Sequence, residues 1–355
     1  MPSGTPVPPA TPTGQDIARP SGGDARAAEG AAAPAKHGGR RSIDARALVG
    51  KYAVVLALIA MIVGFSIVLP DTFFTVANLK QVLLTQAVLV ILSLGLIIAL
   101  AAGEFDLSIA ALVGFSAAFL AHLTSQLHWA VLPALLVAFL VAFIIGAVNA
   151  IFVVGFGVNS FITTLGSASV ITGVATAITG STTIGNIPDA LTKPFSGRLL
   201  GIGLPVFYAL ALAVVLWFFL EHTPSGRYLF FTGEGREASR LAGVRVNRIR
   251  AGALISSALF ACLAGVVLLG QTGAADPTFG QPLLLPAFAA GFLGATTIKT
   301  GRYNAWGTVV AVYLLAVGTT GLQQLGAADW VTNVFNGGAL VIAVTIARLA
   351  SRERS

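Results

Sequence analysis

The sequence predicts an all-α polytopic membrane protein of about ten transmembrane helices, one of them short or broken, with both termini cytoplasmic. Three observations carry this expectation. Apolar stretches recur from Tyr52 to Leu349, and the charges between them are almost all basic. The chain is 56% hydrophobic and 10% charged, where a soluble protein carries about 25% charge. Consecutive apolar runs without polar faces do not build a soluble core, and they lack the roughly ten-residue alternation of a membrane β-barrel.

Residues 1–40 are rich in Pro, Gly, Ala, Ser and Thr without apolar periodicity, which reads as a disordered cytoplasmic tail covering 1–50. The first run, Tyr52–Leu69, starts too late and is too long for a signal peptide. It is expected to remain as an anchor, with Arg40, Arg41, Arg46 and Lys51 holding the N-terminus inside. A span needs about 20 apolar residues; Leu79–Ala101, Leu107–Ser125, Ala130–Val154 and Phe161–Gly180 meet or approach that length. Leu204–Leu220, Ala251–Gln271, Ala305–Leu322 and Val331–Leu349 follow.

Arg348, Arg352 and Arg354 place the C-terminus inside as well, so the number of crossings is even and one more is required. Leu283–Ile298 supplies it. That segment has about 16 residues and carries Pro286, Gly291 and Gly294, so it reads as a short or broken helix packed against others or lining a cavity. The resulting transmembrane domain, 51–350, leaves only Lys80, Lys193 and Arg198 of the 21 Lys and Arg outside. Two halves of five spans are expected, with Gly103-Glu104-Phe105 before the third span and Gly301-Arg302-Tyr303 before the ninth in equivalent places. The net charge of +7 sits in short segments flanking spans. That distribution excludes a nucleic-acid partner and leaves the lipid bilayer as the environment it fits.

Three segments carry candidate chemistry. The polar loop Glu221–Arg250 holds six arginines and is expected to be cytoplasmic, with Ser225 and Gly226 breaking the chain after the sixth span. Within it, Ala238, Leu241 and Ala242 lie at helical spacing opposite Arg236 and Arg240, a short amphipathic helix that Gly243 is placed to end. Such a segment is either an ordinary positive loop or a helix that docks on a soluble partner. The second segment is Gly103-Glu104-Phe105-Asp106-Leu107-Ser108, two carboxylates between spans. Acidic groups at membrane depth are usually functional; Asp106 is also placed to cap the next helix. The third is Gly157–Ser167, whose Asn159, Thr163 and Thr164 either bond back to local backbone or line a polar path. No phosphate-binding loop, His/Cys metal cluster or Ser–His–Asp arrangement occurs. The chain by itself is therefore expected to have no energy source, and no catalytic residues, bound metal or cofactor. A proton-coupled secondary transporter using Glu104 or Asp106 is the alternative, although no basic residue inside a span is available to neutralise Glu104.

Taken together, these motifs resemble the permeases of bacterial ABC importers for monosaccharides, the ribose, xylose and galactoside group. The family's Gly-x-x-Asp-Leu-Ser is matched by Gly103–Ser108, and its Phe-Ile-x-Thr-Leu-Gly by Phe161–Gly166. Gly226-Arg227-Tyr228 followed by Glu237–Gly243, then Gly301–Thr308 and Gly321–Gly326, fall in the family's order. The resemblance spans about Tyr52 to Arg348. It departs at Ile109-Ala110, where Val-Gly is common, and at Thr296–Thr300, where relatives carry Ser and Gly.

The resemblance implies a multi-pass permease subunit in the bacterial plasma (inner) membrane. Its implied partners are a cytoplasmic ABC ATPase that binds the ATP, an extracytoplasmic sugar-binding protein, and a second permease copy, identical or paralogous. It assigns Glu237, Ala238, Arg240, Leu241 and Gly243 to ATPase coupling. Asp106, Ser108, Asn159, Phe161, Thr163 and Thr164 are the candidate residues of the substrate path.

Overall fold

The computed structural model describes residues 45–352. The tail expected over 1–50 lies outside the described residues up to 44; residues 45–50 already belong to the first helix. Nearly everything else is helical. Helices α1 (Ala45–Val68), α2 (Val76–Thr85), α3 (Ala87–Ala101), α4 (Ser108–Ala121), α5 (Val131–Ala150) and α6 (Ser160–Thr179) form the first half. A short amphipathic helix α7 (Asp189–Ser196) and a two-residue hairpin, β1 (Arg198–Leu199) with β2 (Ile202–Gly203), lead to α8 (Leu204–His222). Helices α9 (Pro224–Glu234), α10 (Arg236–Leu241), α11 (Val246–Thr272), α12 (Leu284–Thr296), α13 (Ala305–Gln324) and α14 (Asp329–Arg352) complete the chain.

Among the described residues, eight helical stretches are long and apolar enough to cross a membrane, and Tyr52–Val68 and Gln281–Thr296 are shorter apolar helices. An all-α polytopic membrane protein is therefore the fold. The discontinuity, however, lies in another span than the one that carries Pro286. A 3₁₀ turn, Gln281–Leu283, leads into an unbroken α12, and Pro286 sits in its first turn, where a missing N–H removes no helical bond. The second span is instead divided at Gln86. The Thr85 hydroxyl bonds back to the Gln81 carbonyl at 3.0 Å, which bends helices, and the Leu84 carbonyl accepts from Gln271 Nε2 at 3.2 Å.

Helices α3 and α11 are the centre of the bundle. Every residue of α3 is buried, and α11 packs along α3, α4 and α5. The two halves of five spans are visible in the packing: α3 and α11 are each the second span of their half, and α4 packs on α6 as α12 packs on α14. In such an inverted arrangement the connection between the second and third spans corresponds to that between the seventh and eighth. The counterpart of Gly103–Ser108 is thus Gly273-Ala274-Ala275-Asp276-Pro277-Thr278, not the segment at Gly301. Both begin at a glycine of positive φ (77° and 64°). In both, the Asp Oδ1 accepts from the backbone N–H two residues on, at 3.0 and 2.9 Å, and from that residue's hydroxyl, at 2.5 and 2.6 Å.

Candidate functional site

The structure brings four segments together around the α3–α4 connection. Its backbone is held by the start of α6. Ser160 Oγ accepts from the Phe105 N–H at 3.1 Å, while Thr164 Oγ1 accepts from the Leu107 N–H at 3.0 Å and donates to the Phe105 carbonyl at 3.1 Å. Helix α6 starts there because the Asn159 Oδ1 caps it, accepting from the Phe161 N–H at 2.9 Å. Thr163 donates to the Asn159 carbonyl at 3.0 Å. Thr164 is fully buried, so its hydroxyl is consumed in fixing the connection. Replacing it with Val is expected to orphan the Leu107 N–H at a cost of about 1–3 kcal/mol. A lower melting temperature in detergent would be the readout, and an unchanged one would remove this clamp from the account.

Asp106 lies one residue before the N-cap position of α4, which Leu107 occupies, so it does not cap the helix as the sequence suggests; its Oδ1 accepts from the Ser108 N–H in an Asx turn. Asn149 of α5 donates to Ser108 Oγ at 3.1 Å, which ties α5 into the same knot. Burial pushes the Asp106 carboxyl above the ordinary carboxylate range, against the lowering effect of Ser108. In the counterpart turn the exposed Asp276 is held below that range, chiefly by the Thr278 hydroxyl. One turn geometry therefore gives opposite shifts, according to burial.

Glu104 has the basic partners that the sequence was not expected to supply. Its carboxylate is buried, pairs with Arg236 of α10 at 2.8 Å, and also pairs with Arg250 in the second turn of α11. Arg236 donates as well to the Gly103 carbonyl at 3.1 Å. Arg250 was hidden from a reading by hydropathy because the apolar run begins at Ala251, whereas α11 begins at Val246.

The loop 221–250 is more ordered than its polarity suggests. The chain turns at Thr223, whose hydroxyl oxygen accepts from the Gly226 N–H at 3.1 Å, and Pro224 opens α9. Ser225 and Gly226 therefore begin a helix rather than break one. Gly233 of α9 lies against the Ala101 carbonyl at the end of α3, where an added Cβ would collide with backbone. A Gly233→Val chain is expected to lose uptake and resist purification as a monodisperse species, as size-exclusion chromatography would show. Helix α10 follows and ends at Gly243 (φ 79°) in a Schellman arrangement, with the Gly243 N–H on the Arg240 carbonyl and the Val244 N–H on that of Ser239. Its apolar edge is uncovered: Ala238 is exposed and Leu241 is 85% exposed. Phe231, Ala238, Ala242 and Val244 line an open groove of about 450 Å³ beside it. Glu237 and Arg240 form an exposed pair at 3.3 Å.

Of the candidate path residues, Phe161 lines a cleft of about 620 Å³, together with Phe105 and Leu107. The far wall is Leu284, Phe288 and Phe292 of α12, with Tyr303 and α14's Leu340 and Val344. Phe105 stacks at 6.4 Å on Phe288, and Phe292 meets Tyr303 edge-on at 6.0 Å. Among the described residues, no charged residue lines this cleft. Next to it, a smaller one of about 300 Å³ adds Ser169, Thr172 and Gln281, with Gln281 Nε2 donating to the Thr172 hydroxyl at 3.2 Å. Thr163 lies elsewhere, with Asn149 in a groove of about 380 Å³ on the other side of α6. The aromatic wall on α12 escaped the sequence reading because a run of Leu, Phe and Ala looks the same whether it faces lipid or a path.

Comparison with known proteins agrees with these features. The family model described as "Branched-chain amino acid transport system / permease component" matches residues 78–344. The chain is 29% identical over 296 residues to the ribose import permease protein of Escherichia coli (strain K12), covering 82% of this chain and 92% of that protein. It is 30% identical over 261 residues to the autoinducer 2 import system permease protein of Photorhabdus luminescens, covering 72% and 78%. To the L-arabinose ABC transporter permease protein of Azospirillum brasilense it is 26% identical over 307 residues, covering 86% and 90%. No solved structure matches. With three-quarters of its length inside that model, the chain belongs to the branched-chain amino acid transport system permease component family of membrane permeases.

Proposed function

We propose that this chain is the membrane-spanning permease of an ATP-driven importer for a monosaccharide or a similarly small, uncharged polar solute. The observation that carries the proposal is the bracket formed by Arg236, Glu104 and Arg250. It joins the exposed α10 segment to the connection on which α4, α5, α6 and α11 converge. A push on α10 is thereby passed to the α3–α4 connection and the start of α6, which form one wall of the cleft through Phe105, Leu107 and Phe161. The uncovered edge of α10 and its groove suit a soluble ATPase, which binds the ATP in place of this chain.

The arginine-rich loop and the even number of crossings support an orientation with both ends cytoplasmic in a bacterial inner membrane. The cleft supports the solute class. Its walls are aromatic and uncharged, with hydroxyl and amide groups in the adjoining recess, a pairing that fits a sugar's apolar ring face and its hydroxyls. Relatives named for ribose, L-arabinose and autoinducer 2 support the same size and polarity. A second permease copy closes the open side of the cleft, and a binding protein delivers the solute from outside. Radiolabelled uptake into cells energised with a pentose panel tests the substrate class. Saturable uptake of one or more neutral sugars, unaffected by a protonophore while ATP is held constant, is the expected result.

A further inference from the structure

Two Gly-Arg-Tyr tripeptides, 226–228 and 301–303, lie 75 positions apart in the sequence (301 − 226), and the coupling bracket uses neither. In the fold both arginines reach one small pocket of about 150 Å³, at the end of α8 near the arginine-rich loop. Arg227 comes from the first turn of α9, while Lys299 and Arg302 come from the α12–α13 connection. Glu221 answers Lys299 at 2.7 Å. Among the described residues, no carboxylate lies within ion-pair distance of Arg227 or Arg302, so two guanidinium groups remain uncompensated. Beneath them the walls are Trp217, Leu220 and Phe230, with Arg302 Cζ 3.9 Å from the centre of the Phe230 ring.

The connection is held in shape for this. Ile298, a β-branched residue, takes a positive φ of 61°, a conformation that persists only when its surroundings impose it. Asn304 imposes it, donating to the carbonyls of Gly294 at 2.8 Å and of Thr297 and Arg302 at 3.1 Å. Cations over an apolar, tryptophan-bearing floor at the end of a span form a head-group site, since basic pockets between membrane helices on the cytoplasmic side take anionic lipid heads.

We infer that Arg227, Arg302 and Lys299 bind the phosphate of an anionic phospholipid in the leaflet next to the arginine-rich loop. The purified full chain, delipidated in a neutral detergent, would be titrated with phosphatidylglycerol in mixed micelles while its melting temperature is followed. Phosphatidylcholine and inorganic phosphate are run in parallel. A saturable stabilisation by phosphatidylglycerol alone is expected. Arg227→Gln with Arg302→Gln should weaken it about thirtyfold, and Arg227→Gln alone about fivefold, the size of one cation at a membrane surface. The single variant keeps the test usable if the double variant is unstable, because among the described residues the Arg227 side chain makes no hydrogen bond or ion pair, and its backbone bond to the Thr223 carbonyl is kept in the variant. Equal stabilisation by phosphatidylcholine, or by phosphatidylglycerol in wild type and variants, would overturn the inference. A response to inorganic phosphate without one to phosphatidylglycerol would assign the pocket to a free phosphate and overturn the lipid assignment.

Discussion

Arg250→Ala is expected to abolish uptake and to lower stability by about 3–5 kcal/mol, because it leaves the Glu104 carboxylate buried with half of its partners. Loss of function after a large loss of stability says little about coupling, so the informative variant is the pair Glu104→Met with Arg250→Met. Replacing a buried ion pair by apolar side chains of similar volume is often neutral for stability. That chain should therefore insert and purify normally. It should still not transport, because Arg236 of α10 has lost its ion pair to the α3–α4 connection and keeps only the bond to the Gly103 carbonyl. Melting curves and uptake measured side by side separate the two effects. A stable Met/Met chain with normal uptake would reduce the bracket to a structural feature.

Arg240→Glu should act in the opposite way, sparing the chain and breaking the assembly. Its exposed pair with Glu237 is of a kind worth about 0.2–1 kcal/mol, so the melting temperature should hardly move. At an interface, reversing a charge costs several kcal/mol, and association with the ATPase should fall by about thirtyfold or more. Removing Glu237–Gly243 should abolish it. Retained association in the deletion chain would move the docking site elsewhere on the loop.

Much of the fold was legible because lipid imposes a simple rule. Apolar runs near span length and the bias of basic residues gave ten crossings, and the described residues hold eight long apolar helices with two shorter ones. The motif-bearing segments 103–108, 161–166 and 237–243 were also visible, as was the turn role of Gly243. What composition could not reveal was which segments meet. The link between Glu104 and Arg250 spans 146 positions and lies at a helix start that the hydropathy pattern placed outside the membrane. The division at Gln86 depends on a Thr hydroxyl and a distant glutamine side chain, neither of which breaks an apolar run. Thr164 illustrates the same limit. Its hydroxyl allowed either a bond back to local backbone or a path, and the structure places it against the Ser160 carbonyl at 2.8 Å while it also holds the backbone of the α3–α4 connection.

The most direct test of the central claim is purification of the tagged chain from gently solubilised native membranes, with the co-purifying proteins identified and ATP hydrolysis measured. A stoichiometric nucleotide-binding ATPase that leaves the complex when Glu237–Gly243 is removed is the expected result. A chain that purifies alone, and that takes up solute in proteoliposomes on a proton gradient without ATP, would contradict it.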